Sequence, residues 1–273
     1  MYDLTYLEWY DRCSGTSSYG MLNKAEEIIA DEHFYYKMSR MLGNKVVGFD
    51  SVYEVIASRF LDILGIPHVS YELINALVHI NDINLHTWIC KSKDYKKPDM
   101  DVVSVQEFCT SKDTAEEELL QVFDEQELHK IYLTDFLIAN VDRHGGNTEI
   151  ISYPDGSFSI APLFDHGMSL LNWAPNEEAV QHFDVMSTRD TNNFIGSSDL
   201  YENLFKIKKP IEVNALHEKA RSYIFHDISR ALPRGLIDKS WELIWRRYNY
   251  AKDKNFLIER PEAPARYSSY FNS

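Results

Sequence analysis

The sequence predicts an α+β chain in two parts: a small β-rich N-terminal lobe over residues 1–92 and a larger, mostly helical C-terminal lobe over residues 93–273. Three observations carry that prediction. Strand-like runs fill much of the first 92 positions around one amphipathic helix. Residues 92–101 (Ser-Lys-Asp-Tyr-Lys-Lys-Pro-Asp-Met-Asp) are charged, contain proline and lack apolar periodicity, so they read as a connector. Beyond them the apolar spacing becomes three and four, the helical period.

The first element is a polar loop, Ser14-Gly15-Thr16-Ser17-Ser18-Tyr19-Gly20. Backbone N–H groups of such a loop can wrap phosphates, which makes Gly15, Thr16, Ser17 and Ser18 candidate nucleotide contacts. The loop has neither the Walker pattern nor three spaced glycines, and a plain N-terminal loop fits it equally well. Glu32–Met38 is short, aromatic-rich and strand-like. Residues 52–64 form an amphipathic helix through Val55, Ile56, Phe60, Ile63 and Leu64, stopped by Gly65 with Pro67 beyond. Residues 68–80 and 84–91 alternate as strands about an Asn81-Asp82 turn.

In the second part a helix begins near Thr114, with Glu116 to Glu118 in its first turn. Leu128, Ile131, Tyr132, Phe136 and Ala139 continue it to Asn140, so that it delivers Asp142 on rigid support. The motif Asp142-Arg143-His144-Gly145-Gly146-Asn147 follows, then two β-type runs, 148–153 and 158–163, joined by Pro-Asp-Gly-Ser. Pro-Asp-Gly between alternating runs signals a hairpin. Folded about Asp155 and Gly156, that hairpin sets Asn147 opposite Phe164, next to Asp165. Loops run to about residue 175. Helices are expected at 212–232 and at 237–250, the latter packing Trp241, Ile244 and Trp245 as core, with a poorly packed tail from residue 260.

A carboxylate five residues before an amide, with a second carboxylate 18 residues after that amide, is the pattern a phosphoryl-transfer site needs. Mg²⁺ takes oxygen ligands, one or two of them carboxylates, and another residue must orient or deprotonate the attacking hydroxyl. Asp-Gly-Asn clusters are also ordinary turn formers, but two of them joined by a hairpin are more specific. His144 and His166 flank the motif. A zinc hydrolase would need a third ligand at suitable spacing and no HExxH helix exists, so bracing of the loop is the better reading of His144.

The helix into DRHGGN, the hairpin and the apolar run into Asp165 resemble the HipA-like kinases, including their short bacterial members. The DRHxxN element is also similar to that of the phosphatidylinositol 3- and 4-kinases. The resemblance spans about residues 30–170 and implies a two-lobed, protein-kinase-like fold that uses ATP with Mg²⁺ or Mn²⁺. It implies that Asp142 is the catalytic base and that Asn147 and Asp165 hold the metal. It also selects Lys37, over Lys24 or Lys45, as the strand lysine paired with Glu54 to hold the nucleotide phosphates. By position, the hinge facing adenine falls at residues 89–92, Cys90 included. His166 stands where typical kinases carry an aromatic.

The 273 residues carry 28 Lys plus Arg against 42 Asp plus Glu, a net charge of −14. That balance argues against non-specific binding to nucleic acid or anionic membrane. Hydrophobic residues make up 44%, with 17 Tyr, 14 Phe and five Trp, enough for a packed core. Cys13, Cys90 and Cys109 are too scattered for a disulfide framework or a zinc site. Neither a signal peptide nor a membrane-length apolar run is visible, so a cytoplasmic protein is expected. The expected function is an ATP-dependent protein kinase with serine or threonine as acceptor, capable of autophosphorylation, with an antitoxin or other regulator as its partner. A lipid or small-molecule kinase and an inactive nucleotide-binding module are the alternatives.

Overall fold

Period-two alternation builds the first layer. The structure is a computed structural model describing residues 1–11, 22–97, 100–112, 123–174 and 177–260. Its main sheet has six strands in the order β1-β7-β8-β4-β3-β2: β1 (Tyr2–Leu4), β2 (Tyr10–Asp11), β3 (Asn23–Ile29), β4 (Glu32–Met38), β7 (Tyr71–Ile80) and β8 (Ile83–Lys93). The small hairpin of β5 (Met41–Leu42) and β6 (Lys45–Val46) follows β4. Within this sheet, among the described residues, only β1 runs parallel to its neighbour, β7. The β7–β8 turn has positive φ at both Asn81 (50°) and Asp82 (60°), the type I′ geometry that matches strand twist.

On β4 the alternation sorts side chains. Tyr36 and Met38 enter a small cluster with Leu4, Ala25, Ile74, Ala76, Val78 and Ile89. Lys37, between them, faces the other way, towards helix α1 (Asp50–Leu64). Ten side chains from Val52 to Ile66, among them Val55, Ile56, Phe60, Leu61 and Leu64 of α1, join one large core with the helices that follow. Gly65 ends α1 in the left-handed region at φ 69°, as its sequence position predicts.

The second half contains β9 (Asp101–Ser104), α2 (Val105–Lys112), α3 (Glu125–Ile138), a 3-10 turn (Gly145–Asn147), β10 (Glu149–Ser152), β11 (Phe158–Ile160), α4 (Glu177–Gln181) and α5 (Leu200–Leu204). It closes with β12 (Ile211–Asn214), α6 (Ala220–Ile224), a second 3-10 turn (Ile228–Arg230), α7 (Arg234–Asp253) and β13 (Leu257–Arg260). Leu133, Phe136 and Leu137 of α3 meet Leu243, Ile244 and Tyr248 of α7 in the core shared with α1. Buried Arg247 on α7 donates to the carbonyls of Phe136 (2.8 Å), Val185 (2.7 Å) and Ser187 (2.7 Å); burial pulls its pKa down to about 10.

Several expectations need correction. The helix expected over 212–232 is instead β12 followed by short helical turns. Ile211 and Val213 are buried while Glu212 is exposed, a period of two, and β12 pairs in parallel with β13. Part of the expected connector forms β9, which adds a third strand to the hairpin beside β10. The start of the helix at Thr114 lies outside the described residues, as do Gly15, Thr16, Ser17, Ser18 and the tail beyond residue 260. α3 is described from Asp124, whose side chain caps it by accepting from the Gln126 N–H at 3.0 Å. Trp241 and Trp245 are half-buried and stack on each other, their ring centroids 5.4 Å apart.

Asn214 ties the end of β12 to the end of α1: its Nδ2 donates to the Ile63 carbonyl at 3.2 Å. A Cβ on Gly65 would lie 2.5 Å from that same nitrogen. Gly65→Ala is therefore expected to lower the unfolding free energy by about 1–2 kcal/mol, measured by urea denaturation, from left-handed strain and the displaced amide. A change within error of zero would show that this α1 terminus tolerates a side chain.

Candidate active site

The site begins with where the hairpin ends. β10 and β11 pair Ile150 with Ile160, Ile151 with Ser159 and Ser152 with Phe158, so the ladder centres on Asp155 and not between Asp155 and Gly156. It closes with Ala161 N–H donating to the Glu149 carbonyl at 2.8 Å. The chain then leaves the hairpin. Leu163 bonds the strand-like segment before β7, donating to Pro67 (3.1 Å) and accepting from Val69 (2.8 Å). The ladder therefore does not set Asn147 opposite Phe164, because competing backbone partners capture Leu163.

Arg143 makes that junction instead. Its Nη1 donates to the carbonyls of Asn147 (3.1 Å) and Phe164 (2.8 Å). Nε and Nη2 grip the Asp135 carboxylate at 2.8–3.2 Å, and Nη2 also meets His166 Nδ1 at 3.1 Å. Arg143 and Asp135 are both buried. Burial works against the charge on Arg143, but Asp135 outweighs it and holds the guanidinium pKa above its ordinary value. Because Arg143 Nη2 donates to Nδ1, the neutral His166 ring carries its proton on Nε2. Burial, then Arg143, hold that ring well below its ordinary pKa.

The loop around Asp142 is knit separately. Asn147 Nδ2 donates to the Asp142 carbonyl at 2.9 Å, and the Gly146 N–H donates to His144 Nδ1 at 3.1 Å, so His144 does brace the loop. A Cβ on Gly145 would approach Phe194 to 2.7 Å and Gln106 to 2.9 Å, which explains a glycine there. The segment after α4 runs alongside: Asn192 and Phe194 donate from their backbone to Val141 (2.8 Å) and Arg143 (3.0 Å). Asn192 Nδ2 also donates to Asp142 Oδ1 at 3.1 Å. Nothing in the spacing of the sequence marked Asp135, Arg143 or Asn192 for these contacts.

Lys37, Glu54 and Asp165 meet across the seam between the main sheet and the second half. Lys37 Nζ lies 2.8 Å from Glu54 Oε1 and 3.2 Å from Asp165 Oδ1, with the Tyr71 hydroxyl at 3.5 Å. The His166 backbone N–H donates to the other Glu54 oxygen. Asp165 itself adopts φ 58°, a strained left-handed conformation for a non-glycine residue. Burial opposes ionisation of Asp165, but Lys37 and then Lys24 override it and keep the carboxyl well below the usual range. Glu54 is more deeply placed, and burial pushes its pKa up despite Lys37. Lys37 remains an ammonium: the two carboxylates outweigh the effect of burial.

Lys37 and Asp165 edge a cleft of about 840 Å³, ample for a nucleotide. Lys24, Lys37, Tyr71, Gly146, Phe164 and Asp165 line one end, and Ser92, Asp94, Tyr95, Lys96 and Glu149 line the connector side. Cys90 is not among the residues that line it. That residue is buried mid-strand, paired with Lys37 on one side and Leu73 on the other. Of the expected hinge residues 89–92, Ser92 lines the cleft. Gly146 of the motif loop lines the cleft, whereas Asp142 and Asn147 do not.

Among the described residues no group of three His, Cys, Asp or Glu side chains is assembled. The donor chemistry nevertheless fits Mg²⁺ or Mn²⁺: the Asp165 carboxylate and the Asn147 amide oxygen, whose nitrogen is already committed to Asp142, are hard oxygen donors that leave room for phosphate oxygens.

No protein-family model matches the chain, and no curated protein matches it in sequence. Its structure is similar to that of the Helicobacter pylori proinflammatory kinase CtkA, with a TM-score of 0.58 at 16% identity, covering 93% of this chain and 96% of that one. It also matches Shewanella oneidensis MR-1 HipA, solved with HipB and operator DNA, with a TM-score of 0.42 at 13% identity, covering 96% of this chain and 63% of that one. The chain thus has a kinase-like fold, and the resemblance read from its motifs holds at the level of the fold.

Two predictions follow from the geometry. Asp135→Ala, which strands the buried Arg143 charge, is expected to cost about 3–5 kcal/mol of stability by chemical denaturation; a loss below about 1 kcal/mol would remove this pair from its structural role. Second, the folded-state pKa of Asp165 lies below its ordinary value of 3.8, so its ionised form favours the folded state. That contribution is full above the ordinary value and is lost as pH falls below about 4. Wild-type stability should fall more steeply across that window than that of Asp165→Asn; equal slopes would contradict the assignment.

Proposed function

We propose that the protein is an ATP-dependent protein kinase that transfers the γ-phosphoryl group to a serine or threonine hydroxyl. The observation that carries this reading is the meeting of Lys37, Glu54 and Asp165 at one edge of a nucleotide-sized cleft. In this reading Glu54 fixes Lys37, and Lys37 holds the nucleotide phosphates. Asp165 and Asn147 hold the divalent cation, which when bound screens the phosphate charge. Asp142, oriented by Asn192, accepts the proton of the acceptor hydroxyl. Its half-exposed carboxylate stands outside the nucleotide cleft, where an incoming hydroxyl can reach it. The strained backbone of Asp165 supports the same reading, since such strain concentrates at working residues.

Autophosphorylation and an antitoxin-like regulatory partner belong to the proposal on the sequence resemblance alone. No helix among the described residues is long and apolar enough to cross a membrane, and the net charge of −14 disfavours docking on an anionic lipid surface. That charge favours a polypeptide acceptor over a lipid.

The test is incubation with labelled ATP and Mg²⁺ or Mn²⁺, alone and with candidate proteins. Labelling of polypeptide is expected, reduced by on the order of 10²–10⁴ in Asp142→Asn and abolished in Asp165→Asn, with circular dichroism unchanged. Label in extracted lipid but not in polypeptide would redirect the reading to a lipid kinase. Nucleotide binding without transfer would redirect it to a regulatory module.

A further inference from the structure

Lys24 stands directly across the sheet from Lys37: β3 and β4 are paired in the register Lys24 to Lys37. Like charges in that relation repel, so the pair needs anions to hold it. Two carboxylates provide them, but unevenly. All the donors of Lys37 have partners, in Glu54 (2.8 Å), Asp165 (3.2 Å) and the Tyr71 hydroxyl (3.5 Å). Lys24 has, among the described residues, a looser neighbour in Asp165 Oδ2 at 3.9 Å. Its side chain is 31% exposed against 10% for Lys37, and it lines the same cleft.

Resting on the nucleotide-binding reading above, the charges can be followed. A cation held by Asp165 would compete with both lysines for its carboxylate. Lys37 would retain Glu54, whereas Lys24 would lose its carboxylate neighbour in a cleft open to the ligand. We propose that Lys24 is a second phosphate-binding residue, which holds the terminal phosphates of the nucleotide from the strand beside Lys37. A mobile ammonium on a long stem suits this role, as a point charge that can follow phosphate oxygens. Lys37 then holds the inner phosphates from its fixed position, and Lys24 discriminates by the number of phosphates present.

The experiment is calorimetric titration of wild-type protein, Lys24→Ala and Lys24→Arg with ATP, ADP and adenosine, with Mg²⁺ present. Lys45→Ala, which removes a charge outside the cleft, controls for net charge. Loss of a charge-assisted contact should weaken ATP binding by about ten- to a hundredfold, ADP binding less, and adenosine binding not at all, with Lys24→Arg recovering part of the ATP affinity. Where the alanine variant is less stable by circular dichroism, Lys24→Gln replaces it. Unchanged ATP affinity, or equal weakening of ATP and adenosine, overturns the role of Lys24 while leaving the functional reading intact. Wild-type protein that binds no nucleotide overturns that reading, and this inference with it.

Discussion

One guanidinium organises this molecule. Arg143 is buried with Asp135, and through a single nitrogen it holds the carbonyls of Asn147 and Phe164. A buried ion pair is favourable only when its remaining donors are also satisfied. Here they are: the carboxylate takes two nitrogens, backbone takes the third, and His166 shares one. The motif loop and the residue before Asp165 are thereby fixed to the end of α3, whose C-terminal turn delivers Asp142.

The second dependence is electrostatic and runs across the seam of the molecule. A single lysine on the main sheet faces one carboxylate from α1 and another from the segment after β11. The His166 amide donates to Glu54 as well, so helix and segment are joined by backbone as well as by charge. A further polar set repeats the connection nearby. Arg40 donates to Asn172 Oδ1 at 2.6 Å, Asn172 donates to Asp50 Oδ1 at 2.9 Å, and Asp50 starts α1. The strained φ of Asp165 persists because neighbours on both sides determine its position.

Much of this was legible in the residues, and the reasons for the rest are physical. β4 was read to its ends because aromatic alternation has a strict period of two, and α1 because Gly65 marks a left-handed stop. The Lys37–Glu54 contact was reached through family likeness, not spacing; nothing in one sequence joins a strand lysine to a glutamate 17 residues away. The hairpin was legible, but its reach was not, since Leu163 leaves the ladder for Pro67 and Val69, partners remote in sequence. β12 was misread as helix because four residues of alternation are too few to outweigh the helical spacing around them. Arg143 and Asp135 looked like ordinary charged residues, because burial is a tertiary property. Cys90 was placed at the hinge by counting, and the strand proved longer than the count allowed, running to Lys93.

The parallel pairing of β12 with β13 has a bearing on how the protein is made. Leu257–Arg260 supplies the hydrogen-bonding edge that orders Ile211–Asn214, and Asn214 in turn secures the end of the helix that bears Glu54. The Asn214 contact spans 151 residues of chain and forms late, since loop closure over that length must precede it. During synthesis the ribosome releases the lysine strand and its helix long before their final brace exists. The Lys37–Glu54 pair therefore reaches its final rigidity only when β13 has emerged and docked.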